Sequence, residues 1–388
     1  MENRHKSRQH SLPLRVMMAG GITGGHLFPG IAIAQEFVSR NPANQALFVS
    51  LGNSLERRAL KEAGYQLATI PVSGIKGRGV KNQIMSVLGL PAGLAAAFLR
   101  VIRFKPHLVI GMGGYSAGPV VVAAWMAGVP VVIHEQNVMP GITNRMLSRI
   151  ASRVYVSFEA SKTAFSRRKV VFSGNPVRHE FIRGRNRENA VAETEGTKNE
   201  KPFVVFIAGG SQGAHAINIA VIEALNAIPE PGRYFFIHQC GAADAEMVKK
   251  AYAQKGFNAD VRAFFTDMAR QYDSADLLIC RSGATTVAEV TAMGKGAIFV
   301  PFPHAADNHQ VLNAASLANE GAAEIILQEE LECELLAQRI VYYSQHPAVL
   351  AKMGKKAERH GKPDAAGVIV DDCYLLFEDS LRDRMAKD

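Results

Sequence analysis

The chain has 388 residues, of which 48% are hydrophobic, and a formal net charge of +9. That length suggests two domains with ample core, so neither a metal nor a disulfide is needed to hold the fold. Cys240, Cys280, Cys333 and Cys373 form no CxxC pair, which argues against a zinc site or a disulfide framework. The positive balance favours anionic partners such as phosphates or acidic lipid. Nucleic acid ranks low, because aromatics make up only 7% and no basic stripe is interleaved with them.

The N-terminus, "MENRHKSRQHSLP", is polar and basic without an apolar h-region, so a secretory signal is not expected. Residues 1–12 read as a basic tail without fixed structure. The longest apolar run, Pro119 to Ile133, is broken by Gly128 and Pro130 and is too short to span a bilayer. A soluble or peripheral protein is expected.

Short β-rich runs then alternate with helical patterns. "RVMMA", "ALFVSL", "HLVIGM", "PVVIHE" and "RVYVSF" read as strands in the first half, and "FVVFIA", "YFFIHQ", "DLLICR" and "AIFVPF" in the second. Gly30–Arg40, Ile84–Arg103, Ile217–Ala227 and Thr285–Met293 read as helices between them. Such alternation predicts parallel sheets covered on both faces. The chain also resembles itself: "VMMAGGITGGHLFPGIAIA" and "VVFIAGGSQGAHAINIAVI" each run from a buried strand through a Gly-Gly turn to a histidine and a helix. Two similar α/β units follow, at residues 13–176 and 177–362. Residues 363–388 form a C-terminal helix expected to pack back on the first unit. The polar stretch 183–201 reads as a linker or an exposed insertion.

The glycine-rich turns are where ligands are expected. "AGGITGGH" fits neither GxGxxG nor a P-loop, yet its glycines expose backbone just before a helix start, where unpaired N–H groups favour an anion or sugar. His26, at that helix start, lies where the dipole disfavours imidazolium, which suits a general base; simple capping is the alternative. "GGSQGAH" offers the Ser211 hydroxyl beside a second helix start, a better seat for phosphate. "GMGGYSAGP" and "HEQNVMPGITN" place Tyr115, His134, Glu135, Asn137 and Asn144 at strand carboxyl ends, the edge where open α/β sheets bind ligands. "CRSGATTVAEV" puts Glu289 early on a helix, where it can accept from a ribose diol. "PFPHAADNHQ" carries His304, Asp307 and Gln310 but no second ligand cluster, so a metal is not expected. "GIKGRGVKNQIMSVLGL" mixes Lys76, Arg78 and Lys81 with Ile75, Val80, Ile84 and Leu88. It reads either as an interfacial membrane patch or as core with a solvated rim.

Taken in order, "GGITGGHLFPG", "SGIKGRG", "GMGGYSAGP", "HEQN", "GNPVR", "GGSQGA", "CRSGATTVAE" and "HAADNHQ" resemble the MurG family of bacterial glycosyltransferases, from about Arg15 to Ala366. The resemblance implies an α/β fold of the GT-B kind, with two Rossmann-like domains facing across a cleft. It implies inverting transfer of N-acetylglucosamine from UDP-N-acetylglucosamine to the 4-hydroxyl of the muramoyl unit of lipid I, making lipid II for peptidoglycan. It implies Thr23, Gly24, Gly25, Asn137, Arg178, Ser211, Phe265, Gln310 and the run Ala284, Thr285, Thr286, Val287, Ala288 and Glu289 as donor contacts. His26 becomes the base, Tyr115, His134, Glu135 and Asn144 acceptor contacts, and Ile75 to Leu88 a patch for anionic inner-membrane lipid on the cytoplasmic face. No cofactor is implied; other cell-wall synthesis proteins are suggested as partners. The alternatives are another lipid-directed UDP-sugar transferase, a UDP-sugar 2-epimerase or a non-catalytic UDP-sugar sensor.

Overall fold

A computed structural model describes residues 12–72, 90–182 and 201–385. The proposed membrane patch from Ile75 to Leu88, the basic tail and most of the polar insertion lie outside the described residues. The chain divides into two compact units. One runs to Arg178 and resumes at Lys362; the other is His179–Gly361.

The first unit is built on strands β1 (Arg15–Ala19), β2 (Gln45–Ser50), β3 (Gln66–Thr69), β4 (Leu108–Gly111), β5 (Val131–Glu135), β6 (Arg153–Val156) and β7 (Val170–Phe172). They form one parallel sheet in the order β3-β2-β1-β4-β5-β6-β7. Alternate residues of β1 feed opposite cores. Val16 and Met18 join Ile31, Phe37 and Tyr374 on one face, and Met17 and Ala19 join Val120, Val121 and Ile133 on the other. Both faces are therefore covered, as near-continuous apolar strands require. Helices α1 (Gly24–Arg40), α2 (Ser54–Glu62), α3 (Leu90–Phe104), α4 (Ala117–Met126) and α5 (Ile142–Leu147) supply the crossovers.

The second unit repeats the plan. Strands β8 (Phe203–Ala208), β9 (Tyr234–Gln239), β10 (Asn258–Arg262), β11 (Leu277–Cys280), β12 (Gly296–Phe299) and β13 (Glu324–Ile325) lie parallel in the order β10-β9-β8-β11-β12-β13. Helices α6 (His215–Ala224), α7 (Ala245–Gln254), α8 (Met268–Ser274), α9 (Ala284–Met293), α10 (His309–Ala318), α11 (Cys333–Gln345) and α12 (Pro347–His360) surround them. The final helix, α13 (Ala365–Met385), belongs to the first unit and packs on α1. Ile369, Val370, Cys373 and Tyr374 enter its core. Asn44 Nδ2 donates to Tyr374 Oη at 2.6 Å, and Tyr155 Oη to Asp372 at 2.8 Å. Two Rossmann-like halves, the expected fold class, are present.

One helix begins earlier than the periodicity predicts. α1 starts at Gly24 rather than Gly30 and keeps Pro29 inside it. Burial of Leu27, Ile31, Ala34 and Phe37 along one face outweighs the hydrogen bond that proline cannot make. His26 thus sits in the first turn of the helix, at the helix start where it was expected.

Candidate functional site

In each unit the strand order reverses beside its first strand, between β1 and β4 and between β8 and β11. Crevices at the carboxyl ends of such neighbours are where open α/β sheets bind ligands. The residues singled out from the sequence and described here lie at strand carboxyl ends, in the loops that follow them or in the helices those loops enter.

At the first edge the β1–α1 turn packs backbone to backbone on the β4–α4 turn. Gly20 has φ +99°, and a Cβ there would stand 2.4 Å from the Gly113 carbonyl oxygen, so only glycine fits. Gly113 in turn faces the His26 ring and the Asn144 amide. Thr23 is the N-cap of α1 but makes no side-chain cap bond; its Oγ1 lies 3.0 Å from His26 Nδ1. A hydroxyl held there orients the ring. Gly24 and Gly25 are the first residues of α1. The Arg178 guanidinium stacks 4.4 Å from the Phe28 ring centre, which carries this cation to the same helix.

The β5–α5 loop is organised from inside. His134, Glu135 and Asn144 are 0%, 2% and 3% exposed. Gln136 Nε2 donates to His134 Nδ1 at 3.0 Å, so His134 Nε2–H faces the Gly174 carbonyl at 3.3 Å. Burial, the largest cause, lowers the His134 pKa to about 4, which keeps the ring neutral. Glu135 accepts from the Asn137 and Gly141 backbone N–H groups, both at 3.0 Å, and from Asn144 Nδ2 at 2.9 Å. Burial pushes its pKa up, and these donors pull it back in part. Three of the four expected acceptor contacts, His134, Glu135 and Asn144, are therefore buried and hydrogen-bonded within the protein. Asn137 is half-buried, and Tyr115 is 36% exposed on the adjoining turn. Local sequence could not separate these roles, since a polar residue at a strand end reads alike whether it faces a ligand or its own loop.

At the second edge the loop 209–213 presses on the β9–α7 turn. Gly213 has φ +79°, and a Cβ there would lie 2.1 Å from the Cys240 carbonyl oxygen. Gly213→Ala is expected to cost about 1–3 kcal/mol of strain and more from the clash, read as a lowered Tm; an unchanged Tm would mean that the two turns separate freely. Ser211 is exposed at the loop's tip. Gln239, only 2% exposed, ties this loop to the next, accepting from the Phe265 N–H at 2.9 Å and donating to the Gly210 carbonyl at 3.0 Å. The Phe265 backbone N–H, in a residue expected to contact the donor, is thus already engaged. Sequence reading passed over Gln239, although a polar residue ending a buried strand is a signal.

α9 starts after Gly283 with no side-chain cap, and Ala284, Thr285 and Thr286 form its first turn. Val287 is buried, and Ala288 half-buried. Glu289 is 6% exposed, with Tyr272 Oη 3.4 Å from its Oε2. The start of α10 is sewn to this turn: Ser282 Oγ donates to the Gln310 carbonyl at 2.8 Å, and Gln310 Oε1 accepts from the Phe302 N–H at 3.0 Å. Asp307 and Asn308 beside it both have positive φ, 54° and 53°, a strained pair held by its context. Arg281 reaches the Val300 and Pro301 carbonyls, each at 3.0 Å, and burial lowers its pKa to about 10. Among the described residues no cluster of three His, Cys, Asp or Glu side chains could hold a metal.

Family models agree with this division. The glycosyltransferase family 28 N-terminal domain matches residues 16–156, and the family 28 C-terminal domain matches residues 204–369. The chain is 42% identical to the UDP-N-acetylglucosamine–N-acetylmuramyl-(pentapeptide) pyrophosphoryl-undecaprenol N-acetylglucosamine transferase of Myxococcus xanthus, across 94% of this chain and 93% of that protein. It is 44% identical to the protein of the same name in Syntrophus aciditrophicus, across 94% and 99%. Among solved structures it is similar to Acinetobacter baumannii MurG, with a TM-score of 0.70 at 33% identity over 92% of this chain and 98% of that one. A UDP-GlcNAc 2-epimerase from Neisseria meningitidis shares the fold alone, with a TM-score of 0.63 at 12% identity over 93% and 99%. The chain belongs to glycosyltransferase family 28, among the UDP-N-acetylglucosamine–N-acetylmuramyl-(pentapeptide) pyrophosphoryl-undecaprenol N-acetylglucosamine transferases.

Proposed function

We propose that this protein transfers N-acetylglucosamine from UDP-N-acetylglucosamine to N-acetylmuramyl-(pentapeptide) pyrophosphoryl-undecaprenol, making the disaccharide lipid precursor of peptidoglycan. The observation that carries this is identity of 42–44% with transferases of that name over nearly the whole chain. The two sheet edges fit the chemistry. The second unit takes the nucleotide: α9 and Glu289 meet the ribose, the loop around Ser211 meets the diphosphate, and the Phe265 carbonyl rather than its spent N–H meets uracil. Gln310 reads the sugar. The first unit takes the acceptor, with Tyr115 at its surface and His134, Glu135 and Asn144 shaping the loop beneath. Thr23, Gly24, Gly25, Asn137 and Arg178 are further donor contacts.

Transfer breaks the bond between the anomeric carbon and the β-phosphate oxygen, which keeps the electron pair. The acceptor hydroxyl oxygen bonds the same carbon from the opposite face, and its proton passes to His26. Helix starts and loop N–H groups aimed at the diphosphate stabilise the charge that develops there. The deciding experiment supplies the full-length protein with radiolabelled UDP-N-acetylglucosamine and a short-chain acceptor analogue. Label in the acceptor fraction is expected; release of free sugar or its 2-epimer instead would reject the reading.

The acceptor is a lipid, so the protein must work at a bilayer, and no described helix is long and apolar enough to cross one. The reading therefore includes peripheral binding to anionic lipid on the cytoplasmic face. Besides the patch from Ile75 to Leu88, α5 supports it. Ile142 and Met146 are each 64% exposed. Arg145 lies between them in the chain, Arg149 follows just past the helix end, and Trp125 and Met126 end the adjoining α4. Exposed apolar residues with arginines beside them are the composition of an interfacial helix. Replacing Ile142 and Met146 with Asp removes about 1.5–3 kcal/mol of burial per side chain. The double variant is expected to lose cosedimentation with phosphatidylglycerol vesicles while turning over a soluble acceptor normally; undiminished cosedimentation would exclude this face.

A further inference from the structure

We propose that His215, anchored by Asp244, is a further catalytic residue that donates a hydrogen bond to the leaving diphosphate. The inference rests on the donor placement given above.

Within the loop and helix start from Gly209 to His215, His215 is the only titratable side chain. It is 70% exposed, yet its ring is not loose. Nδ1 lies 2.9 Å and 3.1 Å from the two carboxylate oxygens of Asp244. A carboxylate only accepts, so Nδ1 carries a proton and Nε2 is left on the far side of the ring.

Asp244 is itself held. Asn218 Nδ2 donates to it at 2.7 Å and to the Cys240 carbonyl at 2.8 Å. That carbonyl is the one against which Gly213 packs. Asn218 Oδ1 accepts from His238 Nε2 at 3.0 Å, and His238 Nδ1 accepts from Tyr252 Oη at 3.1 Å. Burial lowers the His238 pKa to about 3, so this second histidine is a neutral spacer rather than a charge. Burial works against the Asp244 carboxylate, but bonds from His215 and Asn218 outweigh it and hold the carboxyl below its ordinary range. The chain of contacts from Tyr252 outward fixes the imidazole's orientation beside the carboxylate.

The other strong donors at this edge are committed. Arg281 spends its fork on two carbonyls and Gln328, and Arg262 is paired with Asp260 at 2.7 Å. When the bond from the anomeric carbon to the β-phosphate oxygen breaks, the electron pair stays on that oxygen, and a donor from His215 Nε2 strengthens as the charge grows. His215 gives up no proton in this step. Asp244 is a positioning residue that acts through the imidazole.

The test uses the full-length protein, with uridine, UMP and UDP as probes in calorimetry and UDP-N-acetylglucosamine in turnover. His215→Ala is expected to bind uridine as the wild type does, to lose about tenfold of the affinity gained from uridine to UDP, and to lose about 10- to 100-fold in kcat. Asp244→Asn is expected to shift the same two quantities less, with uridine affinity unchanged. Equal losses for uridine and UDP would make the pair structural, and an unchanged UDP increment with normal kcat would remove His215 from the reaction. A wild type that binds UDP no better than uridine would overturn the donor placement first, whatever the variants do.

Discussion

His26→Ala is expected to lower kcat by about 10²- to 10⁴-fold, the range for removing a positioned general base, while UDP affinity stays near that of the wild type. The split follows from where the residue sits. His26 belongs to the first unit, on α1, with Nδ1 beside Thr23 Oγ1 and its ring against Gly113. The loop around Ser211, Phe265 and the start of α9 belong to the other unit. The substitution removes an imidazole from the helix surface without opening the core below it, where Leu27 and Ile31 remain buried. Thr23→Val, which keeps the imidazole but removes its hydroxyl partner, is expected to fall between wild type and His26→Ala. Measured with a soluble acceptor, turnover in His26→Ala within about threefold of wild type would take the proton away from this residue.

Glu289→Gln is expected to raise the Kd for UDP by about tenfold or more, since a hydrogen bond to a charged group is worth about 1.5–3 kcal/mol. The carboxylate is 6% exposed on the second turn of α9, with Tyr272 Oη against one oxygen. The substitution keeps shape and volume but leaves one acceptor oxygen where a ribose diol would use two. Glu289→Ala is expected to weaken UDP further and to lower Tm as well, because it empties space beside Tyr272. A Kd unchanged in Glu289→Gln alongside a lowered Tm would assign this carboxylate to the fold alone. Calorimetry with UDP and a thermal melt decide it.

The central strands were legible because each is a short apolar run set off by turn residues. "RVMMA", "FVVFIA" and "YFFIHQ" coincide with β1, β8 and β9 residue for residue. β3 "QLAT", β7 "VVF", only three residues long, β10 "NADVR" and β13 "EI" were passed over. Each lies at a sheet edge, where one side lacks a partner strand and the pressure for apolar residues relaxes. α1 was shortened for a related reason. Gly24, Gly25 and Pro29 weaken local helix propensity, and only packing against the sheet overrides them. The glycine turns announced themselves, but the partners they need did not: nothing near Gly20 names Gly113, and nothing near Gly213 names Cys240. Likewise Asp244 carries no local sign of serving the loop around Ser211.

The order of residues alone determined that this is a two-fold repetition of an α/β plan, which segments line its binding edges, and which side chains carry usable chemistry. Those follow from apolar periodicity and from glycine's freedom at turns, both properties of neighbours along the chain. Tertiary structure decided which of those side chains face outward. His134, Glu135 and Asn144 turned inward to satisfy buried N–H and carbonyl groups, while His26, Tyr115 and Ser211 stayed within reach of solvent. A buried polar group must find a partner wherever the fold supplies one, and those partners come from strands and turns distant in the chain, so burial and hydrogen bonding across the sheet had to assign the roles.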